Sequence, residues 1–186
     1  MNKNLIKKYN IPGPRYTSYP TFPYWDTVPP TQKEWSEHVK TIFALTGTHE
    51  GISIYIHLPF CETLCTYCAC NTRITANHAI EMPYINALLL EWKMYRDIFG
   101  AAPKIKELHL GGGTPTFFSP GTLQMLIEKI LSNAVVIPGS EFSFEAHPNS
   151  TTFTHLKILY GMGFRRLSLG IQDFNTKVLE TINRKQ

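Results

Sequence analysis

Four segments rich in β-branched and aromatic residues alternate with helical patterns along most of this chain. Parallel neighbours in a sheet need a crossover between them, usually a helix, so this alternation predicts βαβ units with right-handed crossovers. The predicted fold class is therefore α/β with a parallel sheet. We expect strands at residues 52–58, 105–110, 141–146 and 166–171, a helix capped by Thr31 that runs to about Leu45, and helices at 82–99, after Ser119, after Thr151 or Thr152, and near Asn175.

All four cysteines lie in one short segment directly after the first predicted strand, at Cys61, Cys65, Cys68 and Cys70. A disulfide framework would spread its cysteines along the chain, whereas thiols this close together indicate a site for a soft metal centre. The Cys-x3-Cys-x2-Cys spacing lets Cys61, Cys65 and Cys68 converge on one object. An iron–sulfur cluster held by three cysteines keeps one iron open to a small molecule. We expect Cys70 to stay off the metal.

Two alternatives to an iron–sulfur cluster stay open for the cysteine segment. A structural zinc site with four thiolates is the main one, and a set of unligated thiols is the second. Zinc sites usually pair two Cys-x2-Cys knuckles from separate parts of a chain, and this sequence has one knuckle. The spacing therefore favours an iron–sulfur cluster over zinc.

Several further motifs occur in order on both sides of the cysteines. Together they resemble radical S-adenosylmethionine (SAM) enzymes, and more closely the family of oxygen-independent coproporphyrinogen III oxidases, also called coproporphyrinogen dehydrogenases. The resemblance runs from about residue 9 to the last residue. It is carried by Gly13-Pro-Arg-Tyr-Thr-Ser-Tyr-Pro-Thr21, Tyr55-Ile-His-Leu-Pro-Phe-Cys61, Cys70-Asn71, Gly111-Gly-Gly-Thr-Pro-Thr116, Gly170-Ile-Gln-Asp-Phe174 and Asn183-Arg-Lys-Gln186.

The resemblance implies a [4Fe–4S] cluster ligated by Cys61, Cys65 and Cys68, and SAM as cofactor, with two molecules suspected. The catalytic side chains stay unassigned. The residues that it assigns to SAM binding are Tyr55, Tyr67, Gly112, Gly113, Thr114, Glu145, Gln172 and Arg184. Among these, Gly113, Thr114, Gln172 and Arg184 are assigned to the second SAM molecule.

Taken one by one, several of these residues also have an ordinary structural interpretation. Tyr55 can be a core aromatic, Glu145 a surface ion pair, and the glycine triplet a tight turn. The sequence departs from the family at His147, where an aspartate is commoner, and this puts the role of that position in doubt. Arg184 lies two residues from the last one, so we expect it to be disordered. His57, His109 and His155 are expected to be structural, and the segment around Arg15 to be a lid or to face the substrate.

The activity implied by the resemblance is the anaerobic oxidative decarboxylation of coproporphyrinogen III to protoporphyrinogen IX in porphyrin and haem biosynthesis. A 5′-deoxyadenosyl radical derived from SAM would start it, and the implied electron donor is a reductant such as flavodoxin or ferredoxin. The alternative is a haem-binding chaperone of the same superfamily. Such relatives typically lack Cys70 and the Gly13–Thr21 motif, so both features favour the enzyme.

Composition sets the wider limits. The chain has 186 residues, 43% of them hydrophobic and 17% charged, which fits one soluble globular unit with a core. No apolar run approaches the ~20 residues of a membrane span, and the first residues do not match a signal peptide. Clustered thiols indicate a cytoplasmic protein. The net charge of +4, without a basic stripe, predicts no nucleic-acid partner.

The predicted organisation is an N-terminal arm and helix over residues 1–50, followed by the N-terminal portion of a radical SAM barrel over 51–186. Such a core is a partial TIM-type barrel, and this chain reaches about four of its strands. We therefore expect the chain to be a fragment of a longer protein, without turnover on its own. A parallel strand left at an open edge of the sheet is expected to favour association.

Overall fold

The computed structural model describes residues 3–10, 24–25 and 28–186. The chain divides into two compact units, Met1–Trp35 and Ser36–Gln186. In the first unit, helix α1 covers Lys3–Tyr9. The Gly13–Thr21 motif, with Arg15, lies outside the described residues.

Helix α2, Gln32–Ile42, begins where the sequence predicts it. The Thr31 hydroxyl accepts a hydrogen bond from the Glu34 N–H (3.3 Å), and the Glu34 carboxylate accepts one from the Thr31 N–H (2.8 Å). Both N–H groups lie at the start of the helix, where no preceding turn supplies a carbonyl acceptor. The reciprocal pair therefore satisfies two backbone donors that would otherwise lack a partner within the helix. The α-helix ends earlier than the predicted Leu45, because residues Phe43–Gly47 wind as a π-helical turn.

The second unit alternates strands and helices as predicted. Its remaining elements are α3 (Thr48–Glu50), β1 (Ile52–Leu58), β2 (Phe60–Cys61), β3 (Arg73–Ile74), α4 (Glu81–Phe99), β4 (Lys104–Gly112), α5 (Pro120–Leu131), β5 (Val135–Ala146), α6 (Phe153–Gly161), β6 (Phe164–Leu169) and α7 (Thr176–Thr181). None of the helices in the described ranges is long and apolar enough to cross a membrane.

The main sheet is parallel, with the strand order β1-β4-β5-β6, and β2 pairs with β3 in a separate two-stranded parallel sheet. Spatial order follows chain order, which is the winding of a β/α barrel. The predicted α/β class is confirmed. The short β2–β3 pair was not predicted, and it brackets the cysteine segment.

Strand β5 begins six residues before the predicted residue 141. Val135 and Val136 pair with the start of β4, and the register then shifts before Glu141 pairs with Glu107. The residues looped out between these pairings include Pro138 and Gly139, and Gly139 has a φ of 81°. Proline and glycine usually interrupt a strand, so the sequence pattern does not predict the first part of β5.

One face of the main sheet is covered by helices α4, α5 and α6. Along β4, Leu108 and Leu110 are fully buried against these helices. Since side chains alternate along a strand, His109 and Gly111 face the other side. Polar side chains of β1 and β5 lie on the same side of the sheet, toward the carboxyl ends of the strands.

Helix ends in this layer follow the sequence signals. The Ser119 hydroxyl caps α5 by accepting from the Thr122 N–H (3.2 Å), with Pro120 at the first helical position. Gly100 ends α4 in the left-handed conformation, with a φ of 68°. Both were predicted, since they depend on local chain geometry.

A charged cluster fixes the start of α4. The buried Glu81 carboxylate accepts from the Ser119 N–H (3.0 Å) and contacts Nδ1 of His78 (2.8 Å). The His78 ring stacks on Phe117 at 4.3 Å, and its Nε2 lies 3.5 Å from Glu62 in the cysteine segment. The hydrogen bond to Glu81 raises the pKa of His78. Burial raises the pKa of Glu81, but its hydrogen bonds outweigh burial and leave it below the usual value.

Candidate functional site

The carboxyl ends of the four main strands meet around one cavity. Parallel strands bring their carboxyl ends to the same edge, where ligands bind in barrel and open α/β folds. The cavity has a volume of about 390 Å³, within the range of about 300–1,000 Å³ for small-molecule sites. Ten of the eleven predicted site residues line it: Cys61, Cys65, Cys68, Tyr67, Gly112, Gly113, Thr114, Glu145, Gln172 and Arg184.

Tyr55 is the predicted site residue that does not line this cavity. Its ring lies 5.8 Å from that of His109, nearly parallel, and its hydroxyl pairs with Nδ1 of His57 (3.0 Å). The side chain is 57% exposed and stands above Gly111, where a Cβ atom would come within 2.9 Å of the tyrosine ring. Tyr55 therefore borders the site on its β1 side, and its role in SAM binding stays a prediction.

The cysteine segment is fixed at both of its ends. The Arg73 N–H donates to the Pro59 carbonyl (2.8 Å), and the Thr75 N–H donates to the Cys61 carbonyl (2.9 Å). These bonds continue the β2–β3 pairing and close residues 62–72 into a loop, which we call the cysteine loop. Within it, the Cys68 N–H donates to the Cys65 carbonyl (3.0 Å). None of the four cysteines forms a disulfide. Cys61, Cys65 and Cys68 are partly buried, and Cys70 is exposed.

The turn after α7 holds the far side of the cysteine loop. Asn183 has a φ of 52°, and its N–H donates to the Glu180 carbonyl (3.1 Å), while the next N–H donates to the Leu179 carbonyl (2.9 Å). This is a Schellman motif, which ends a helix with one left-handed residue. The motif directs the Asn183 side chain at the cysteine loop, where Nδ2 donates to the Leu64 carbonyl (2.7 Å). A backbone bond from Thr66 to Ile182 (3.1 Å) adds to this clamp.

Arg184 follows this turn and is buried, with 9% of its surface exposed. The expectation that it is disordered is wrong. Its Nη2 donates to the Gly170 carbonyl, its Nη1 lies 3.6 Å from Sγ of Cys65, and its Nε donates to Gln186 (2.9 Å). The guanidinium therefore places a permanent positive charge beside the thiols.

The glycine triplet lets the end of β4 approach β2 and the residue before it closely. A Cβ atom on Gly113 would lie 2.5 Å from the Pro59 carbonyl oxygen and 2.9 Å from Sγ of Cys61. The next residue, Thr114, has its hydroxyl 3.3 Å from the same sulfur. Burial raises the pKa of the Cys61 thiol, while this hydroxyl and the charge of Arg184 act in the opposite direction.

Glu145 ends β5 and presents a half-exposed carboxylate to the cavity. One oxygen accepts from the Gly112 N–H (3.2 Å), and the other lies 3.8 Å from Nε2 of His109. His109 is held by Ser143 through its other nitrogen (2.7 Å). The carboxylate is thus oriented while keeping room to accept hydrogen bonds from an amino group or a ribose.

His147 also lines the cavity, although no role was predicted for it. Its Nδ1 accepts from the Asn149 N–H (3.1 Å). Burial and the charge of Arg184 lower the pKa of its ring, so the ring is neutral near neutral pH. A histidine just beyond a strand end, before Pro148, is the local signal that could have marked this position.

The thiol donors of this segment are of the type that holds an iron–sulfur cluster. Among the described residues, no group of three or more His, Cys, Asp or Glu side chains is already arranged around a single point where a metal ion could sit. Three partly buried thiols around an open cavity suit a larger cluster with one free corner.

Comparison with known proteins agrees with the motifs. A model of the Radical SAM superfamily matches residues 55–186. The chain is 33% identical, over 98% of its length, to an oxygen-independent coproporphyrinogen III oxidase of Pseudomonas aeruginosa, and 35% identical, over 98%, to one of Escherichia coli. It spans 39% and 38% of those two proteins.

Among solved structures, the chain is similar to coproporphyrinogen III oxidase from Escherichia coli, described as a radical SAM enzyme. The TM-score is 0.83 with 31% sequence identity, covering 99% of this chain and 39% of that one. The resemblance seen in the sequence is confirmed, and the family implies a [4Fe–4S] cluster and SAM as cofactors. By the match over residues 55–186, this chain belongs to the radical SAM superfamily.

Proposed function

We propose that the protein to which this chain belongs converts coproporphyrinogen III to protoporphyrinogen IX without oxygen, in haem biosynthesis. The observation that carries this proposal is the extent of the similarity. The superfamily model begins at residue 55, whereas the similarity to oxygen-independent coproporphyrinogen III oxidases covers 98% of the chain. The residues before the shared radical SAM region thus resemble this one class of enzyme as well.

In this proposal, Cys61, Cys65 and Cys68 hold the cluster. Gly113 allows β4 to approach Cys61, because any larger residue would meet its sulfur and the Pro59 carbonyl. When bound, the reduced cluster and SAM supply a one-electron cleavage that yields a 5′-deoxyadenosyl radical. The chain's own residues bind and orient the reactants and limit the access of water.

The polar groups of the cavity divide into acceptors and donors. We propose that Glu145 accepts hydrogen bonds from the amino group or ribose of SAM. We propose that Arg184 donates to a carboxylate, for which a guanidinium is suited by its paired N–H groups. We propose that the cavity and its border take two SAM molecules, the second contacting Gly113, Thr114, Gln172 and Arg184, with the exposed rings of Tyr55 and Tyr67 packing against SAM.

In the proposed reaction, each of two propionate side chains becomes a vinyl group. For each side chain, the balance would be the loss of one hydrogen atom to the 5′-deoxyadenosyl group, of one carbon dioxide, and of one electron to a one-electron acceptor. A reductant such as flavodoxin or ferredoxin would supply the electron for SAM cleavage. We place the protein in the cytoplasm, where clustered thiols stay reduced.

The test is an anaerobic assay of the natural protein with SAM, a reductant and coproporphyrinogen III. We expect protoporphyrinogen IX, 5′-deoxyadenosine and methionine as products. Cys61→Ser should abolish turnover and remove cluster absorbance, while Cys70→Ser, a matched change of an exposed thiol, should keep both. Tight haem binding without turnover would instead indicate a haem chaperone and overturn the proposal.

A further inference from the structure

The backbone of His147 is held by a compact turn. Its carbonyl accepts from the N–H groups of Ser150 (3.2 Å) and Thr151 (3.1 Å) and from the Thr151 hydroxyl (2.7 Å). The hydroxyls of Thr151 and Ser150 both bond to that of Thr116, at 3.0 and 2.9 Å. Thr116 is itself buried. This network ties the end of β5 to the segment after the glycine triplet, so His147 is positioned before any ligand arrives.

The proton on the His147 ring can be assigned from this geometry. Nδ1 accepts a hydrogen bond from the Asn149 N–H, so Nδ1 carries no proton. The neutral ring must then carry its proton on Nε2. Among the described residues, no other hydrogen bond reaches this ring, and the ring lines the cavity. His147 therefore offers the cavity one donor that no group in the described ranges uses.

The neighbours of this donor define what it can bind. Arg184 and Lys185 line the same cavity and carry positive charge, and Arg184 is near enough to depress the pKa of His147. Among the acidic residues, Glu62 and Glu145 also line the cavity. Glu145 is partly engaged by the Gly112 N–H, and Glu62 by His78. A ligand carboxylate would accept hydrogen bonds from these donors and would be attracted by the positive charges.

We propose that the Nε2–H of His147 donates to the carboxylate of a bound ligand, next to Arg184. This inference rests on the proposed function for the identity of that ligand. The carboxylate can belong to the methionyl part of SAM or to a propionate of the porphyrinogen. His147 is thus a binding residue whose neutral donor adds to the charge of Arg184.

Two variants of the natural, cluster-loaded protein distinguish the role of Nδ1 from that of Nε2. His147→Asn keeps an acceptor near Nδ1 for the Asn149 N–H and loses the reach of Nε2. His147→Gln places an amide donor near Nε2 and loses the local acceptor. Equilibrium dialysis with SAM and with coproporphyrinogen III measures both affinities. The affinity for the ligand that supplies the carboxylate should fall about tenfold in His147→Asn, as expected for one hydrogen bond to a charged group, and much less in His147→Gln.

The source of the carboxylate is decided by changing the ligand. If it belongs to SAM, decarboxylated SAM should bind the parent and His147→Asn equally. If it belongs to the substrate, SAM affinity should be unchanged in His147→Asn and coproporphyrinogen III affinity should fall about tenfold. Unchanged affinity for both ligands in a folded His147→Asn variant would overturn the inference.

A measurement without any variant covers the case in which the substitutions unfold the protein. In the ¹⁵N-labelled, cluster-free chain, nitrogen resonances should report His147 protonated at Nε2, and a proton found at Nδ1 would overturn the inference. Failure of the proposed function is a separate result. A parent protein that binds SAM through His147 but makes no protoporphyrinogen would sustain this inference and refute the activity.

Discussion

Asn183 performs two tasks that can be separated by substitution. Its backbone takes the left-handed conformation that ends α7, and its side chain donates to the Leu64 carbonyl in the cysteine loop. Glycine adopts that conformation readily but has no amide, whereas alanine lacks the amide and is strained there. Asn183→Gly therefore removes the side-chain bond alone, and Asn183→Ala removes it and strains the turn.

The structure gives the size of each effect. The exposed hydrogen bond to Leu64 contributes about 0.5–1 kcal/mol to the free energy of unfolding. A left-handed alanine costs about 1–2 kcal/mol. We expect Asn183→Ala to lower the free energy of unfolding by about 2 kcal/mol, and Asn183→Gly by less than about 1 kcal/mol, because glycine relieves the turn.

Urea unfolding of the 186-residue chain measures the difference in stability between the two variants, provided that both keep the parent slope of free energy against urea concentration. Thiol alkylation followed by peptide mapping measures how far the cysteine loop is released. Cys65 should react faster in both variants, because both free the cysteine loop from Asn183, while the exposed Cys70 serves as the internal reference. Equal stability of the two variants would refute the role of the turn. Parent-like reactivity of Cys65 in both would refute the clamp.

Two further predictions concern the glycine triplet and the start of α4. Gly113→Ala should destabilise the chain by about 2 kcal/mol or more, because its Cβ would meet backbone and sulfur at 2.5–2.9 Å. Gly121→Ala, in the open first turn of α5, is the matched control. It should stabilise the chain by up to about 1 kcal/mol. Urea midpoints would show the contrast, and two equal variants would contradict it. The raised pKa of His78 predicts that its pairing with Glu81 stabilises the fold fully below about pH 6.5 and that this contribution is lost as the pH rises through the raised value. His78→Gln should therefore lower the urea midpoint at about pH 6 and much less at about pH 9, and a gap that widens with pH would show the sign to be wrong.

The sequence predicted those parts of the fold that depend on local pattern. Strand β1 and the ends of α4 and α5 follow from residue type and from caps at Ser119 and Gly100. The first part of β5 was missed because Pro138 and Gly139 interrupt its pattern. Only the pairing of Val135 and Val136 with β4 reveals it as a strand.

The site was predicted by motif, and its contacts were not. Arg184 was expected to be disordered because of its place in the chain, yet its partners, Gly170 and Cys65, become neighbours only in the folded unit. Tyr55 was predicted to bind SAM, and the sequence did not show that its ring stacks on His109 at the border of the cavity. The donor on His147 depends on a backbone N–H two residues away, which residue types alone do not show.

The clamp on the cysteine loop has a consequence for the order of assembly. The two side chains that close it, those of Asn183 and Arg184, are 119 residues downstream of Leu64 and Cys65. At ordinary rates of synthesis, the ribosome needs on the order of ten seconds to add that many residues. During this interval the thiols exist without their partners and are open to both iron–sulfur donors and oxidants. We therefore expect cluster delivery to the nascent chain to compete with oxidation of these thiols until α7 docks.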